Sequence, residues 1–390
     1  KNTLSSVYKL GFCLIGDPAV KMAYPEFGMK VTTVNGQSVD GNSISFKALE
    51  KITVEGEVLD ASGQLVTDFT GIVNPTVKDS KVTVTCLKNS NKDDSPAFTF
   101  TDYPNTIFIG NDSVRNGKFS FTFTVPKDIS YSNLQGKMNL YAVDTESGNE
   151  AQGNFDNFIV GGTSDTAETD TIGPEIRALY LNDTTFVDGG QVNTTPYFVA
   201  ELWDKSGVNI TGSSVGHDMM LVIDESTVLS YNLNSYYELL PGEDGTGIVK
   251  FPIPALEPGK HTAEFWVWDI LNNSTVRTFT FEVVEGLKPF LFDVIATPGI
   301  AREQVTFHLM HNRPESRMRV GIMVYDLAGR QLWKHEESGT SGLFENYTVS
   351  WDLTSGGARM RPGVYIYRAA ISTDNSKDAT KARKFIILGE

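Results

Sequence analysis

The sequence predicts an all-β protein built from three consecutive antiparallel β-sandwiches. Short runs in which apolar and polar residues alternate recur along almost the whole chain, and this period is typical of strands with one buried face. Gly, Asn, Asp and Pro residues, which favour turns, separate these runs. With 390 residues, the chain also exceeds one ordinary domain, since domains have roughly 100–200 residues. Helical periodicity is nearly absent after Ala23, so no α/β enzyme fold is expected in that part.

The alternating runs fall into three groups, and each run predicts one strand. The first group is ITVEGEVLD from Ile52, KVTVTCL from Lys81, KFSFTFTV from Lys118 and MNLYAVD from Met138. The second is YFVAELWD from Tyr197, MMLVID from Met219, IVKFPI from Ile248, TAEFWVWD from Thr262 and RTFTFEVV from Arg277. The third is QVTFHLMH from Gln304, RVGIMVYD from Arg319, YTVSWDL from Tyr347, GVYIYRAAIS from Gly363 and RKFIILG from Arg383.

Two polar stretches separate the groups. Gly161–Glu175 is rich in Gly and Thr and contains Gly-Pro, so it predicts an exposed linker, and Glu285–Phe290 is a shorter break. We therefore predict Ig-like β-sandwich domains at 30–160, 172–285 and 288–390. Residues 1–29 are too few for a domain. An apolar run followed by Gly-Asp-Pro there predicts the last strand and turn of a larger upstream fold.

The charge of the chain is unevenly distributed. The formal net charge is −15, so non-specific binding to nucleic acid is not expected. Lys288–Glu390 has 14 basic and 11 acidic residues, a balance of +3, and the remainder carries −18. Nine of the twelve arginines lie in that last stretch. Arg359 and Arg361 precede the run PGVYIY in a predicted exposed turn, so we predict that they contact a partner protein.

No constellation in the sequence predicts chemistry. Cys13 and Cys86 lie in strand-like apolar or alternating runs, which predicts two buried thiols rather than a nucleophile or a disulfide framework. No His-Glu-x-x-His motif or phosphate-binding glycine loop is present. We therefore predict no catalytic residue, no metal and no cofactor in this chain.

Several polar residues receive structural interpretations. Asp144, Asp269 and Asp326 each end a strand, so we predict that their carboxylates accept hydrogen bonds from turn amides two residues on, rather than bind calcium. The imidazole of His217, beside Asp218, is predicted to tie its loop to the next strand. His308 and His311 are predicted to form a surface pair.

A carbohydrate-binding or adhesin module stays open as an alternative function. Trp203, Trp266 and Trp268 are its candidate residues. Trp266 and Trp268 share one face of a predicted strand, however, and a core face explains that placement more simply.

Three Asp-Ser/Thr-apolar triplets resemble bacterial O-glycosylation acceptors. They are Asp112-Ser113-Val114, Asp165-Thr166-Ala167 and Asp170-Thr171-Ile172. Ser113, Thr166 and Thr171 are therefore predicted modification sites.

Longer motifs resemble a known family. LIGDPAVKMAYP (Leu14–Pro25) resembles the closing segment of gingipain-type, C25-type cysteine peptidase domains. Asp170–Asp183 and Leu240–Ser274 resemble the sandwich that follows the peptidase in sortases of the type IX secretion system. VYDLAGRQLW (Val324–Trp333) and WDLTSGGARMRPGVYIYRA (Trp351–Ala369) resemble the sorting domain of type IX cargo.

This resemblance implies a role outside the cell. Residues 1–29 would be the tail of an α/β peptidase domain, and the family's catalytic Cys and His would lie upstream, so no catalytic residue transfers to this chain. The parent would cut sorting domains from secreted cargo and join the cargo to anionic lipopolysaccharide at the cell outer surface. The implied partners are a PorV-like outer-membrane β-barrel and the cargo sorting domains.

Overall fold

The structure, a computed structural model, describes residues 24–87, 96–165, 170–212, 216–240, 245–373 and 376–389. Strands dominate it, and the helical element of these residues is one 3-10 turn at Asn234–Tyr236, so the all-β prediction is confirmed. None of these residues forms a helix with the length and apolar character needed to span a bilayer. The three largest clusters of buried apolar side chains lie within 29–160, 181–283 and 291–387. The exact domain boundaries stay predictions.

The first segment, Phe27–Thr163, has a closed sheet in place of the two separate sheets expected for a sandwich. Its strands are β1 (Phe27–Val34), β2 (Gln37–Ser38), β3 (Ile44–Ala48), β4 (Lys51–Leu59), β5 (Gly71–Lys78), β6 (Val82–Thr85), β7 (Thr99–Asp102), β8 (Thr106–Ile109), β9 (Asp112–Arg115), β10 (Lys118–Thr124), β11 (Leu134–Gln135), β12 (Lys137–Asp144), β13 (Glu150–Phe155) and β14 (Phe158–Thr163). Strands β12, β13, β1, β4, β10, β9 and β5 pair in that order, and β5 pairs back to β12. Strands β3, β11 and β14 form a smaller sheet, and β6 pairs with β7 in a hairpin.

Alternation along β10 fills the core of this closed sheet. Phe119, Phe121 and Phe123 are buried, whereas Ser120 and Thr122 between them are exposed. Beside this strand, β4 carries a glycine, Gly56, where an added Cβ atom would lie 2.2 Å from the Phe119 ring. Only glycine therefore allows the ring to lie this close to the neighbouring backbone.

The second segment, Glu175–Val283, is a two-sheet sandwich. Its strands are β15 (Glu175–Leu181), β16 (Gln191–Val192), β17 (Tyr197–Trp203), β18 (Met220–Ile223), β19 (Ser230–Asn232), β20 (Tyr237–Leu239), β21 (Thr246–Pro252), β22 (Gly259–Trp268) and β23 (Ser274–Val283). One sheet has the order β15-β17-β21-β20 and the other β16-β23-β22-β18-β19.

The third segment, Leu291–Ile387, repeats this design. Its strands are β24 (Leu291–Thr297), β25 (Ile300–Ala301), β26 (Val305–His311), β27 (Met318–Tyr325), β28 (Gln331–Gly339), β29 (Tyr347–Trp351), β30 (Thr354–Ser355), β31 (Ala358–Arg359), β32 (Gly363–Ser372) and β33 (Ala379–Ile387). A sheet of order β24-β26-β29 packs on one of order β25-β33-β32-β27-β28. In both sandwiches the entering chain moves from one sheet to the other, where β16 and β25 pair in parallel with the last strand.

The strand-ending aspartates make the predicted turns. Oδ1 of Asp144, Asp269 and Asp326 accepts a hydrogen bond from the amide two residues on, at 2.9, 2.9 and 3.0 Å. Amide hydrogen bonds from Ser147 and Thr70 lower the pKa of Asp144 to about 2. The turn interpretation of these three residues is therefore confirmed.

The sequence also predicts that Gly329 and Gly363 are turn or strand-start residues at positions where a side chain would clash. Gly329 lies in a turn, but nothing lies within 4 Å of its added Cβ, and its φ of +83° is the reason for glycine there. Gly363 begins β32, where an added Cβ would make only ordinary contacts with Tyr365. The clash prediction is wrong at both positions, although their turn and strand-start locations are correct.

The predicted exposed linker Gly161–Glu175 is held at both ends. Strand β14 continues to Thr163, and the Ser164 amide donates to the Ala48 carbonyl oxygen at 2.9 Å. On the other side, Oδ2 of Asp170 accepts a hydrogen bond from the Ser206 hydroxyl at 3.0 Å. The exposed connection is therefore much shorter than the sequence indicated, and residues 166–169 lie outside the described residues.

We expect limited proteolysis to cut first between Thr163 and Asp170, because backbone and side-chain hydrogen bonds fix the chain on either side. Mass spectrometry of the first fragments gives the cleavage position. A first cut inside β10 or β22 would contradict this boundary, because those strands lie in the cores of the two segments.

Candidate functional site

The turn that carries Arg359 and Arg361 is exposed and anchored. Strands β30 and β31 form a small hairpin before β32, and both arginines are exposed. The Arg359 guanidinium donates to the carbonyl oxygen of Arg302, and the Tyr365 hydroxyl donates to that of Arg361 at 2.6 Å. Both residues are accessible, as a contact role requires, and the role itself stays a prediction.

Not every arginine of the third segment is available for a partner. Arg313 is only 1% exposed, and its guanidinium donates to the Leu287 carbonyl oxygen at 3.1 Å and to Asn312 Oδ1 at 3.0 Å. The Arg383 guanidinium bonds both carboxylate oxygens of Asp293 at 2.9 Å. Part of the arginine enrichment therefore serves the fold, which residue counts alone do not reveal.

The predicted surface pair of histidines is wrong for His311. Its Nε2 lies 2.8 Å from Ser341 Oγ, and its Nδ1 accepts a hydrogen bond from the Arg313 amide at 3.1 Å. Burial and then the Arg313 charge lower the pKa of His311 to about 4. The imidazole is therefore neutral and belongs to the network beneath the connection between the second and third segments.

His217 joins two segments instead of tying its loop to the next strand. Its Nδ1 lies 2.5 Å from Asp128 Oδ2 in the first segment, and its ring lies 4.5 Å from the Trp268 ring. The other oxygen of Asp128 accepts a hydrogen bond from Asn272 at 2.9 Å. The sequence neighbour Asp218 bonds Asn234 instead. Sequence proximity therefore indicated the wrong carboxylate.

The tryptophans do not line a core. On β22 the buried residues are Ala263, Phe265 and Val267, so Trp266 and Trp268 lie half-buried on the opposite face. The core-face prediction is therefore wrong. The rings have neighbours within the chain: the Arg177 guanidinium lies 5.0 Å from the Trp203 ring centroid, Trp268 packs on His217, and Trp266 Nε1 donates to Glu264.

The prediction of two buried thiols is wrong for Cys86, which is free and exposed. The residue follows β6, and its amide donates to the Phe98 carbonyl oxygen at 2.9 Å, so the hairpin pairing continues while the side chains point to solvent. Cys13 lies outside the described residues.

Three aspartates converge where the first linker meets the second segment. Carboxylate oxygens of Asp170, Asp204 and Asp269 all lie within 4.8 Å of one another. Burial raises the pKa of Asp204 to about 6 and also raises that of Asp269. Hydrogen bonds from the Ile172 amide and the Ser206 hydroxyl lower the pKa of Asp170. Burial therefore opposes ionisation of two of the three carboxyl groups.

This cluster was missed by the sequence reading because its members are far apart in the chain. Asp204 and Asp269 each follow a strand-ending tryptophan, and that shared position was the available signal. Each carboxylate also accepts amide hydrogen bonds. With one ligand atom from each residue, the cluster gives three ligands, fewer than the six to eight oxygens that calcium takes. The absence of a metal stays a prediction.

Two of the three predicted modification sites are accessible. Ser113 lies on β9 and Thr171 on the anchored part of the linker, and both are exposed. Ser113 also lines a cleft of about 810 Å³ between the first and second segments. Thr166 lies outside the described residues.

Comparison with known proteins identifies one informative relative. No protein-family model matches the chain, and no curated protein matches it. By fold, the chain belongs to the class of all-β proteins with consecutive sandwich-like units. In sequence, it is similar to the dimeric latent PorU from Porphyromonas gingivalis, with 37% identity over 96% of this chain and a TM-score of 0.43. The chain spans 35% of the PorU chain, so the similarity covers one region of that protein.

Two other solved structures are far less similar. A tetra-tandem repeat from the extending region of a large adhesion protein is 14% identical, with coverage of 94% of this chain and 74% of that one and a TM-score of 0.19. The SGBP-B protein of the Bacteroides ovatus mixed-linkage glucan utilization locus, in complex with a heptasaccharide, is 9% identical, with coverage of 93% and 71% and a TM-score of 0.26. Neither likeness adds to the argument.

The Asp204 carboxyl group makes stability depend on pH. Its folded-state pKa of about 6 exceeds the ordinary 3.8, so the free energy of unfolding falls as pH rises from about 4 to about 6. Asp204→Asn removes this loss and keeps an oxygen for the Ser206 and Gly207 amides. We expect a thermal midpoint about 5 °C above wild type near pH 7, with no difference near pH 4, by calorimetry.

Asp188 provides the control for this measurement. Its pKa is lowered below the ordinary 3.8, chiefly by the Thr280 amide, so Asp188→Asn should lose stability relative to wild type as pH rises toward about 4 and differ from wild type by a constant amount from about pH 4 to about 6. An Asp204→Asn difference that stays constant across this pH range would contradict the raised pKa.

Glycosylation predicts a specific mass change. Protein from the native host should exceed the sequence mass by one glycan for each occupied site, and Ser113→Ala with Thr171→Ala should remove two glycans. Intact-mass spectrometry measures this, with protein from a host that lacks the modification as the control. An unmodified mass from the native host would refute the prediction.

Proposed function

We propose that this chain is the non-catalytic region of a type IX secretion sortase, and that Lys288–Glu390 docks the parent protein on a PorV-like outer-membrane β-barrel. On this proposal the parent works at the cell outer surface. It cleaves sorting domains from cargo and attaches the cargo to anionic lipopolysaccharide, and this chain supports that reaction by positioning the parent.

The observation that carries the proposal is the 37% identity to PorU over 96% of the chain. The motifs at Val324–Trp333 and Trp351–Ala369, which resemble a sorting domain, add the link to type IX secretion. Because the chain spans 35% of PorU, the activity, the partners and the location of the whole protein are all part of the proposal.

The third segment has physical properties that suit docking. It carries a balance of +3 beside a remainder of −18, so its field differs in sign from that of the rest of the chain. The buried Arg313 fixes its connection to the second segment, which limits the entropy lost when a partner binds. Exposed arginines such as Arg359 and Arg361 make favourable interface contacts.

Deletion of Lys288–Glu390 from the full-length parent should abolish its co-purification with the barrel. The Arg359→Glu, Arg361→Glu double variant of the intact parent should weaken co-purification if the turn contributes. Circular dichroism of the truncated protein checks that its remaining strands stay folded. Wild-type co-purification of the folded, truncated parent would place docking elsewhere and reject the proposal. A double variant that co-purifies like wild type would exclude only this turn as the contact surface.

A further inference from the structure

The outer face of the five-stranded sheet in the third segment carries exposed apolar side chains. Along β32, Tyr365 and Tyr367 are buried in the core, so Val364 and Ile366, which alternate with them, lie on the opposite face. Val364 is 40% exposed and Ile300 on β25 is 56% exposed. Such exposure matters only if the side chains form one surface.

Strand register joins these side chains into one surface. Ile386 on β33 pairs with Ile300 on one side and with Val364 on the other. In the next row of this face, Ile366 pairs with Tyr325. Residues directly opposite one another in a sheet lie side by side on the same face. We define the apolar sheet patch as Ile300, Tyr325, Val364, Ile366 and Ile386.

Basic side chains border this patch. Lys384 pairs with Ile366, and Arg368 is the next residue of β32 on the same face. Both are exposed, and neither makes an ion pair with any residue that the structure describes. Farther along the sheet, Lys334 and Glu336 form an ion pair at 2.9 Å, so their charges cancel. The border of the patch is therefore positive.

The predicted contact turn lies beside the same patch. Arg359 donates to the carbonyl oxygen of Arg302, two residues after Ile300. The exposed turn and the apolar sheet patch thus form one continuous region of the third segment.

The composition of this region favours a protein partner. Single exposed apolar residues are ordinary, but a contiguous apolar patch with a charged rim is typical of protein interfaces. Four of the five patch residues are aliphatic. Sugar recognition depends instead on precisely placed polar groups and aromatic faces. The positive border selects a partner whose own rim is acidic.

We propose that the apolar sheet patch and its Arg368 and Lys384 border are the docking surface of the third segment for a protein partner with an apolar centre and an acidic rim. This inference rests on the proposed function, since it assumes that the segment docks, and it assigns the main contact to the sheet face.

The test uses the full-length parent and the purified PorV-like barrel of the same organism as the probe, with the dissociation constant measured by biolayer interferometry. Arg368→Glu with Lys384→Glu should weaken binding about tenfold at low salt and less at high salt, because rim charges are screened. Ile300→Glu with Val364→Glu should weaken binding at both salt concentrations, because it places charge in the apolar centre.

The matched control is Arg317→Glu with Lys377→Glu. These two exposed residues lie at the opposite end of the same sheet, and their reversal changes the net charge by the same amount. The control should bind like wild type. Equal weakening by the control and the border pair would mean a non-specific charge effect and would overturn the inference.

The deletion separates this inference from the proposed function. If a parent without Lys288–Glu390 binds the barrel like wild type, the proposed function fails. If the deletion abolishes binding while both patch variants bind like wild type, the segment docks through another surface and only this inference fails.

The patch variants also distinguish two other possible ligands of the patch. Light scattering would show a second copy of the chain as the occupant if the patch variants dissociate a self-associated species and bind the barrel normally. Vesicles that contain anionic lipopolysaccharide would show a glycolipid as the occupant if the patch variants lose only vesicle binding. Either result would overturn the proposal of an acidic protein partner.

Discussion

The turn that Asp269 holds determines how the second segment meets the first. The Asp269 carboxylate is completely buried and accepts hydrogen bonds from the amides of its own turn. This fixed turn presents the Ile270 carbonyl oxygen to the Lys127 amide at 2.8 Å and the Asn272 side chain to Asp128. A buried carboxylate is costly unless it is hydrogen-bonded. Here its hydrogen bonds set the shape of a loop on which a whole junction depends.

A second buried charge acts in the same way at the next junction. The Arg313 guanidinium donates to carbonyl oxygens of Leu287 and Lys288, which form the connection into the third segment. At each junction a buried ionisable side chain forms hydrogen bonds to backbone groups, beside other contacts such as the His217–Asp128 pair and the packing of Leu343 on the second segment. Such hydrogen bonds are directional, so they orient the chain between segments.

The sequence was informative wherever a residue's partner is local. Alternation located the strands, and the position of Asp269 at a strand end predicted its turn, because that carboxylate bonds amides within a few residues. It failed where partners are distant. Trp268 has the period of a strand but faces away from the core, because period two cannot say which face is buried. His217 bonds Asp128, 89 residues away. Cys86 continues the alternating run of β6, but it lies after the end of that strand and is exposed.

The exposed thiol of Cys86 makes the hairpin of β6 and β7 a natural attachment point for a spectroscopic probe. An exposed thiol is accessible to reagents in solution, and the hairpin belongs to the first segment, away from the surfaces of the third. With Cys13 replaced by Ser, a single fluorophore at Cys86 would report rotational freedom of the first segment. A second fluorophore, on a cysteine introduced at Arg317, would turn the orientation fixed by Asp269 and Arg313 into a measurable distance distribution.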